Sequence, residues 1–415
     1  MSGAGQYSGF ADVAILEAVR TPWVDLGGDL AEISPIDLGI KVGREVLARA
    51  GIEPQAVDSV LAGSMAQASF DAYLLPRHIG LYSGVGQAVP ALGVQRICAT
   101  GFELLRQAAE QLRGEVQLAL CVASESMSRN PIAAYTHRGG FRLGAAVQFK
   151  DFLWEALYDP ALGLDMIATA DNLARRYGLT REAVDGYACD SHQRALAARQ
   201  AGWFAAEIVA VSQQRFELDG YQARGIRLPR GVERVSQDSH PRPSERSDLA
   251  RLRTIHEGGV QTAGNSCAVV DGAAAALVGR ASACSDRPLA LLRASAVVGV
   301  APEFMGIGPA PAIRLLLQRK WPEAFGQIRS AFEINKAQAS QVLAVAPELG
   351  LDGDRLNVQG GSLALGHPLA ASGLRLVLTL ARQLREHNLR YGIAAACVGG
   401  GQGMALLIEN PAWRA

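Results

Sequence analysis

From Gln117 to Ala123 the chain reads QLALCVA, an essentially apolar run of strand length that follows a helical stretch. No other feature constrains the fold as much. A strand without polar alternation has both faces covered, as happens when helices pack on either side of a mostly parallel sheet. The rest of the chain has the same texture. Val13 to Leu16 is a short apolar run, Pro35 to Ala50 has helical spacing closed by Gly51, and Ser59 to Ala62 is apolar again. Strand and helix signals in alternation predict an α/β protein. The last third repeats the order of the first: Leu356 to Gln359 leads through a glycine-rich turn to a helix over Ala371 to Leu384, then to a strand over Gly392 to Val398. The segment around Cys98 leads in the same way through a helix, which Gly114 is expected to end, to Ala123. Two copies of one α/β unit are expected. Between Ser128 and Gly259 helical stretches (Asp171 to Tyr177, Arg181 to Gln200) precede a polar segment rich in Gly, Pro and Arg, which reads as an insertion into the first copy. The division is 1–127 with 260–284, an inserted 128–259, and 285–415.

With 415 residues, 49% of them hydrophobic and only 6% aromatic, the chain can build large aliphatic cores in two or three domains. Forty basic and forty acidic side chains cancel, so neither nucleic acid nor an anionic membrane is favoured as a partner. An anionic ligand needs a local patch. Only Lys41, Lys150, Lys320 and Lys336 are lysines, and the other basic residues are arginines, suited to holding phosphate and carboxylate. Six cysteines lack CxxC spacing and seven histidines never join them at zinc-ligand intervals, so neither a disulfide framework nor a metal site is expected. Met1 to Phe10 has no cationic start or apolar core, and no run approaches the roughly eighteen apolar residues of a membrane span. A cytoplasmic location follows.

Three segments carry candidate chemistry. Cys98 stands where an apolar run turns into a helix with Phe102, Leu105, Ala109 and Leu112 at helical spacing. A helix start lowers a thiol's pKa and suits a nucleophile, while a buried inert thiol is the other reading. His367 lies in the glycine-dense stretch Asn357 to Gly373, where Gly366 allows close backbone approach and Pro368 stiffens the exit. It suits a positioned acid, base or oxyanion donor, or a satisfied structural histidine. Cys397-Val398-Gly399-Gly400-Gly401-Gln402-Gly403 links two strands, the second from Met404 to Glu409. A dinucleotide fingerprint needs a helix there, so a tight hairpin presenting Cys397 and free N–H groups fits better.

With these segments the chain resembles the thiolase family of acetyl-CoA acetyltransferases and 3-ketoacyl-CoA thiolases. The resemblance spans nearly the whole chain. It also runs through Arg20-Thr21-Pro22, Ser124-Glu125-Ser126-Met127-Ser128, Thr262-Ala263-Gly264-Asn265, Asp271-Gly272-Ala273-Ala274 and Met305-Gly306-Ile307-Gly308-Pro309. It implies the thiolase fold: two duplicated α/β halves in a five-layered αβαβα core, with a loop domain that binds coenzyme A and supports a homodimer or homotetramer. It implies that Cys98 carries an acyl thioester, His367 activates its thiol, and Cys397 is the acid and base. Asn335 would hold a water beside His367 to stabilise an enolate, and the N–H groups of Cys98 and Gly399 would form a second oxyanion hole. Coenzyme A and acyl-CoA enter as substrates, with no permanently bound cofactor. Contacts to coenzyme A map onto Leu153, Met166, Ile255, His256, Ala263 and Cys267. For its phosphates, the segment Arg215 to Arg253 holds nine arginines against six acids, with Arg242 the candidate.

The chain departs from the family in places. Glu333-Ile334-Asn335-Lys336-Ala337-Gln338 keeps the asparagine of a His-Asn-Glu-Ala-Phe stretch but replaces its glutamate and phenylalanine. Asp165-Met166 stands for His-Met, Cys267 for a serine, and Ala99-Thr100 for Gly-Ser. An altered acyl preference or rate is expected. Lys336 reads equally as a surface lysine or an active-site residue, because its charge is costly if buried unpaired. Two other readings stand beside a thiolase: a ketosynthase-like condensing enzyme, against which the second cysteine argues, and an acyl-CoA-binding protein with little turnover.

Overall fold

The computed structural model describes residues 5–66, 70–135, 137–284, 287–319, 331–351 and 356–414. Met1 to Ala4, Lys320 and the expected boundary at 285 lie outside them. The first half runs β1 (Ala14–Arg20), α1 (Pro35–Ala50), β2 (Ser59–Gly63), α2 (Leu75–Tyr82), β3 (Ala91–Gly93), α3 (Thr100–Gln111), β4 (Leu118–Glu125) and, after an intervening segment, β5 (Val270–Gly279). That segment contains α4 (Met166–Tyr177), α5 (Arg181–Gln200) and short two-stranded ribbons. The second half runs β6 (Ala290–Gly299), α6 (Pro309–Arg319), β7 (Phe332–Ile334), α7 (Ala339–Leu349), an isolated bridge at Leu356, α8 (Ser372–Glu386), β8 (Tyr391–Val398) and β9 (Gln402–Glu409).

Strand pairing proves the duplication. The first half orders its strands β3-β2-β4-β5-β1, two parallel pairings followed by two antiparallel ones. The second orders them Leu356-β7-β8-β9-β6 with the same sequence of orientations. The run expected over Leu356 to Gln359 is thus only a single bridge where β3 stands in the first half. The two sheets meet edge to edge where Ile15 and Ala14 of β1 pair with Ala290 and Leu291 of β6.

Alternation along the buried strands builds three cores. On β4, Leu118, Leu120 and Val122 face α1 and α2. Ala119, Cys121 and Ala123 face a central core made by α3, α8 and both sheets. Ile393 and Ala395 of β8 face a third core with α6 and α7. Helix, sheet, central helices, sheet, helix make five layers. The expected α1 is closed by Gly51 at φ 63° as its sequence predicts, and its start is capped by Ser34 Oγ accepting from the Ile36 N–H. Gly114 is not the stop of α3. The helix ends at Gln111, and Gly114 merely donates its N–H to the Gln111 carbonyl in the turn beyond.

The central helices start almost in contact. A Cβ on Gly101 would lie 2.6 Å from the Leu374 nitrogen and 2.8 Å from the Ala370 carbonyl oxygen. One on Gly373 would lie 2.5 Å from the Phe102 nitrogen. Cys98 precedes α3 and His367 precedes α8, so each leads into one of the two equivalent helices whose starts meet.

Candidate active site

Cys98 occupies the turn Ile97–Ala99 that leads into α3. Ile97 has φ 45°, a left-handed conformation that a β-branched residue adopts only when its surroundings impose it. The turn is held from both sides. The Arg96 N–H donates to Thr100 Oγ1 at 2.9 Å, and that hydroxyl donates to the Ile97 carbonyl at 2.7 Å. The Arg96 guanidinium reaches Glu103 at 2.8 Å and Gln402 at 2.9 Å, tying this turn to the hairpin that carries Gly399. The N–H groups of Gly399 and of Cys98 itself act on the sulfur, but burial dominates and pushes the thiol up to about 11. The expected lowering by the helix start is therefore overturned.

Cys397 lies fully buried near the end of β8, paired with Gly403. Burial raises its thiol as well, with Cys98 and Cys267 close enough to add to the rise. Gly400 and Gly401, at φ 79° and 84°, make the tight hairpin that the sequence implied. Met166, Met305, Ala337 and Cys267 pack around Cys397.

His367 is buried, and its N–H donates to the Ala268 carbonyl at 3.0 Å. Burial, reinforced by Arg375, pushes the ring down to about 3, so it is neutral at pH 7. Its Nε2 meets Asn335 Nδ2 at 3.2 Å and its Nδ1 meets Ser372 Oγ at 2.5 Å. Asn335 directly follows β7, its N–H donating to the Ala395 carbonyl at 2.8 Å, two residues before Cys397 on the neighbouring β8. At rest, the Cys98 thiol and the His367 imidazole are both neutral.

Lys336 is not on the surface: it is 1% exposed, and its ammonium donates to the Gly360 carbonyl at 2.9 Å over the Tyr187 ring. Burial pulls it down to about 7, opposed by Glu333. Ser362, Ser372, Arg375 and Glu125 also surround the catalytic candidates, and their roles were not legible in the sequence. Glu125, pushed up to about 7 by burial, accepts the N–H groups of Met65 and Ala66 and that of Ala370. It joins the loop after β2 to the approach of α8. A serine, arginine or glutamate inside a helical or strand pattern carries no local sign of what it will face.

The residues mapped for coenzyme A grade outward. Met166 and Cys267 are half-buried, and a Cβ on Gly399 would lie 3.8 Å from Met166 Sδ. Leu153 packs against the central core, and His256 is half-buried with Nε2 3.0 Å from Asp165. Ile255, Ala263 and Arg242 are exposed. The arginine-rich segment does not form one patch. Arg224 turns inward to Asp37 and Asp71, Arg215 pairs with Glu217, and Arg242 lies against His240. Among the described residues no group of His, Cys, Asp or Glu is arranged to hold a metal ion, and no helix is long and apolar enough to cross a membrane.

The duplicated five-layer α/β core, with a cysteine and a histidine before equivalent helices and a second cysteine beside a glycine hairpin, is the architecture of the thiolase fold class. Residues 13–282 match the thiolase N-terminal domain and residues 286–410 the thiolase C-terminal domain. The chain is 36% identical over 406 residues to the mitochondrial 3-ketoacyl-CoA thiolase of Bos taurus, covering 96% of this chain and 98% of that one. It is 34% identical to an acetyl-CoA acetyltransferase of Cupriavidus necator, with 96% and 99% covered. A crystal structure of human mitochondrial 3-ketoacyl-CoA thiolase in complex with CoA superposes with a TM-score of 0.89 at 35% identity, over 96% of this chain and 98% of that one. The chain belongs to the thiolase family. It is an acyltransferase.

Proposed function

We propose that this protein cleaves 3-ketoacyl-CoA with coenzyme A, and condenses acyl-CoAs in reverse, through an acyl group on Cys98. The observation that carries the reading is the meeting of two buried thiols and a neutral buried imidazole beside the Gly399 N–H. His367 Nε2 takes the Cys98 proton as the sulfur attacks the keto carbon, and the oxyanion is held by the N–H groups of Cys98 and Gly399. The bond between the α carbon and the keto carbon then breaks. The departing enolate is stabilised by His367 with a water on Asn335, and Cys397 delivers the proton that completes an acetyl thioester. Incoming coenzyme A gives its thiol proton to the Cys397 thiolate and attacks the acyl group. Cys98 leaves and recovers its proton from His367.

The inserted segment 128–259, between the halves 1–127 with 260–284 and 285–415, contributes to the coenzyme A site in this reading. Leu153, Met166, Ile255, His256, Ala263 and Cys267 line the pantetheine path, and Arg242 meets phosphate. The gradation from exposed rim to buried thiols supports an entry of that direction. A cytoplasmic homo-oligomer belongs to the same reading. Phe70, Tyr73, Leu74 and Leu92 are exposed around the edge strand β3, a face suited to a second copy.

The test is thiolysis of acetoacetyl-CoA and longer 3-ketoacyl-CoAs by wild type, Cys98→Ala and Cys397→Ala. Wild type should turn over at least one of them, and each variant should lose at least about 10²-fold in kcat. Coenzyme A binding without turnover of any would favour the acyl-CoA-binding reading that the Lys336 and Gln338 departures motivate. Full thiolysis by Cys397→Ala would remove that residue from its role.

A further inference from the structure

We infer that Ser362, oriented by Arg375, is a positioning residue that fixes the proton of His367 on Nδ1 and leaves Nε2 free to act as a base. The two ends of one buried hydrogen-bond chain impose this. A guanidinium can only donate, so Ser362 Oγ accepts from Arg375 at 3.0 Å. The single serine proton then goes to Asn335 Oδ1, 2.7 Å away. With its carbonyl oxygen so engaged, Asn335 turns its NH₂ to His367 Nε2 at 3.2 Å, and Nε2 must accept. The ring proton therefore sits on Nδ1 and is donated to Ser372 Oγ at 2.5 Å. Ser372 passes its own proton to the Pro368 carbonyl at 3.4 Å, a group that can only accept.

Donor-only at one end and acceptor-only at the other, the chain has one polarity. Reversing the Asn335 amide would face two donors toward Ser362 Oγ and leave the serine proton without an acceptor. Every member is buried, so water cannot repair such a mismatch. The anchors are themselves held. Arg375 meets Glu333 at 3.3 Å, which also accepts from Gln383 at 2.8 Å and Asn357 at 3.1 Å. The Gly360 carbonyl, two residues before Ser362, accepts from Ser191 at 2.6 Å as well as from Lys336. The lysine that replaces a glutamate in this chain thus helps fix the turn that carries Ser362.

The Nε2 lone pair held by a long bond to Asn335 is the one that a thiol proton must reach. The opposite tautomer would present an N–H there and could not take it. The inference rests on His367 acting as the base proposed above, and its experiment reads the ring without needing turnover. Protein labelled with ¹⁵N-histidine is examined by ¹H–¹⁵N correlation, with His367→Asn assigning its signal among the seven histidines. Wild type should show His367 as the Nδ1–H form. Ser362→Ala should gain Nε2–H signal and lose about tenfold in kcat, with KM held within about twofold. Asn335→Asp, equal in size and acceptor-only when ionised, should draw a proton onto Nε2 and gain Nε2–H signal. A wild-type Nε2–H ring, or a Ser362→Ala ring unchanged from wild type, overturns the inference. An Nδ1–H ring that responds to both variants, in a protein that turns over no 3-ketoacyl-CoA, upholds the relay while the proposed reaction fails.

Discussion

Cys98, Cys397 and His367, the titratable groups of the proposed reaction, are each displaced by burial toward the neutral form. With the Cys98 thiol raised to about 11 and His367 lowered to about 3, the resting site holds no thiolate–imidazolium pair. At pH 7 the thiol is protonated, so activation comes from proton transfer during attack. A raised thiol pKa moves reactivity to higher pH: alkylation of Cys98 by iodoacetamide, followed by mass spectrometry of its peptide, should gain close to tenfold per pH unit through pH 9. A plateau near pH 7 would instead reveal a preformed ion pair. The sequence made Cys98 a candidate through its place before a helix, but the sign of its shift depended on how deeply it is covered. Lys336 teaches the same lesson, since the choice between a surface and a buried lysine was settled by Gly360 and Tyr187, which the chain brings in from afar.

At the level of elements, the site exists because α3 and α8 start against one another. Gly101 and Gly373 permit that approach, and the atoms facing them are backbone, which cannot rotate aside. Gly373→Ala should therefore cost about 1–3 kcal/mol in urea unfolding and lower activity by separating the His367 turn from the Cys98 turn. An unchanged midpoint would mean that the crossing tolerates a methyl group. Gly101 and Gly373 both stood in motifs visible in the sequence, yet nothing local said that they meet. Glycines at Gly400 and Gly401 were readable, because a strand on each side leaves a tight hairpin as the economical connection.

The whole molecule is two copies of a βαβαβαββ unit joined along β1 and β6, with an insertion before β5. Exposed apolar side chains lie around the edge strand β3, where Leu92 is 48% exposed and Tyr73 87%. Leu92→Lys should shift the protein toward monomer in analytical ultracentrifugation, and an unaltered sedimentation profile would place any subunit contact elsewhere. The duplication was legible from the order of apolar runs and helices, and Cys98, His367 and Cys397 stood out as candidates because each lies at a helix start or in a short glycine-dense segment. Sequence patterning by itself determined the α/β class and the repeat, which rest on periodicity, and singled out Cys98, His367 and Cys397 as candidates through neighbours within a few positions, while Asn335 entered through the family resemblance. Only the tertiary structure decided the burial that neutralises the thiol and imidazole, the partners of Lys336, and the Arg375–Ser362–Asn335–His367 chain. Those depend on contacts between residues far apart in sequence, and local patterning carries no record of which distant group will complete a hydrogen bond.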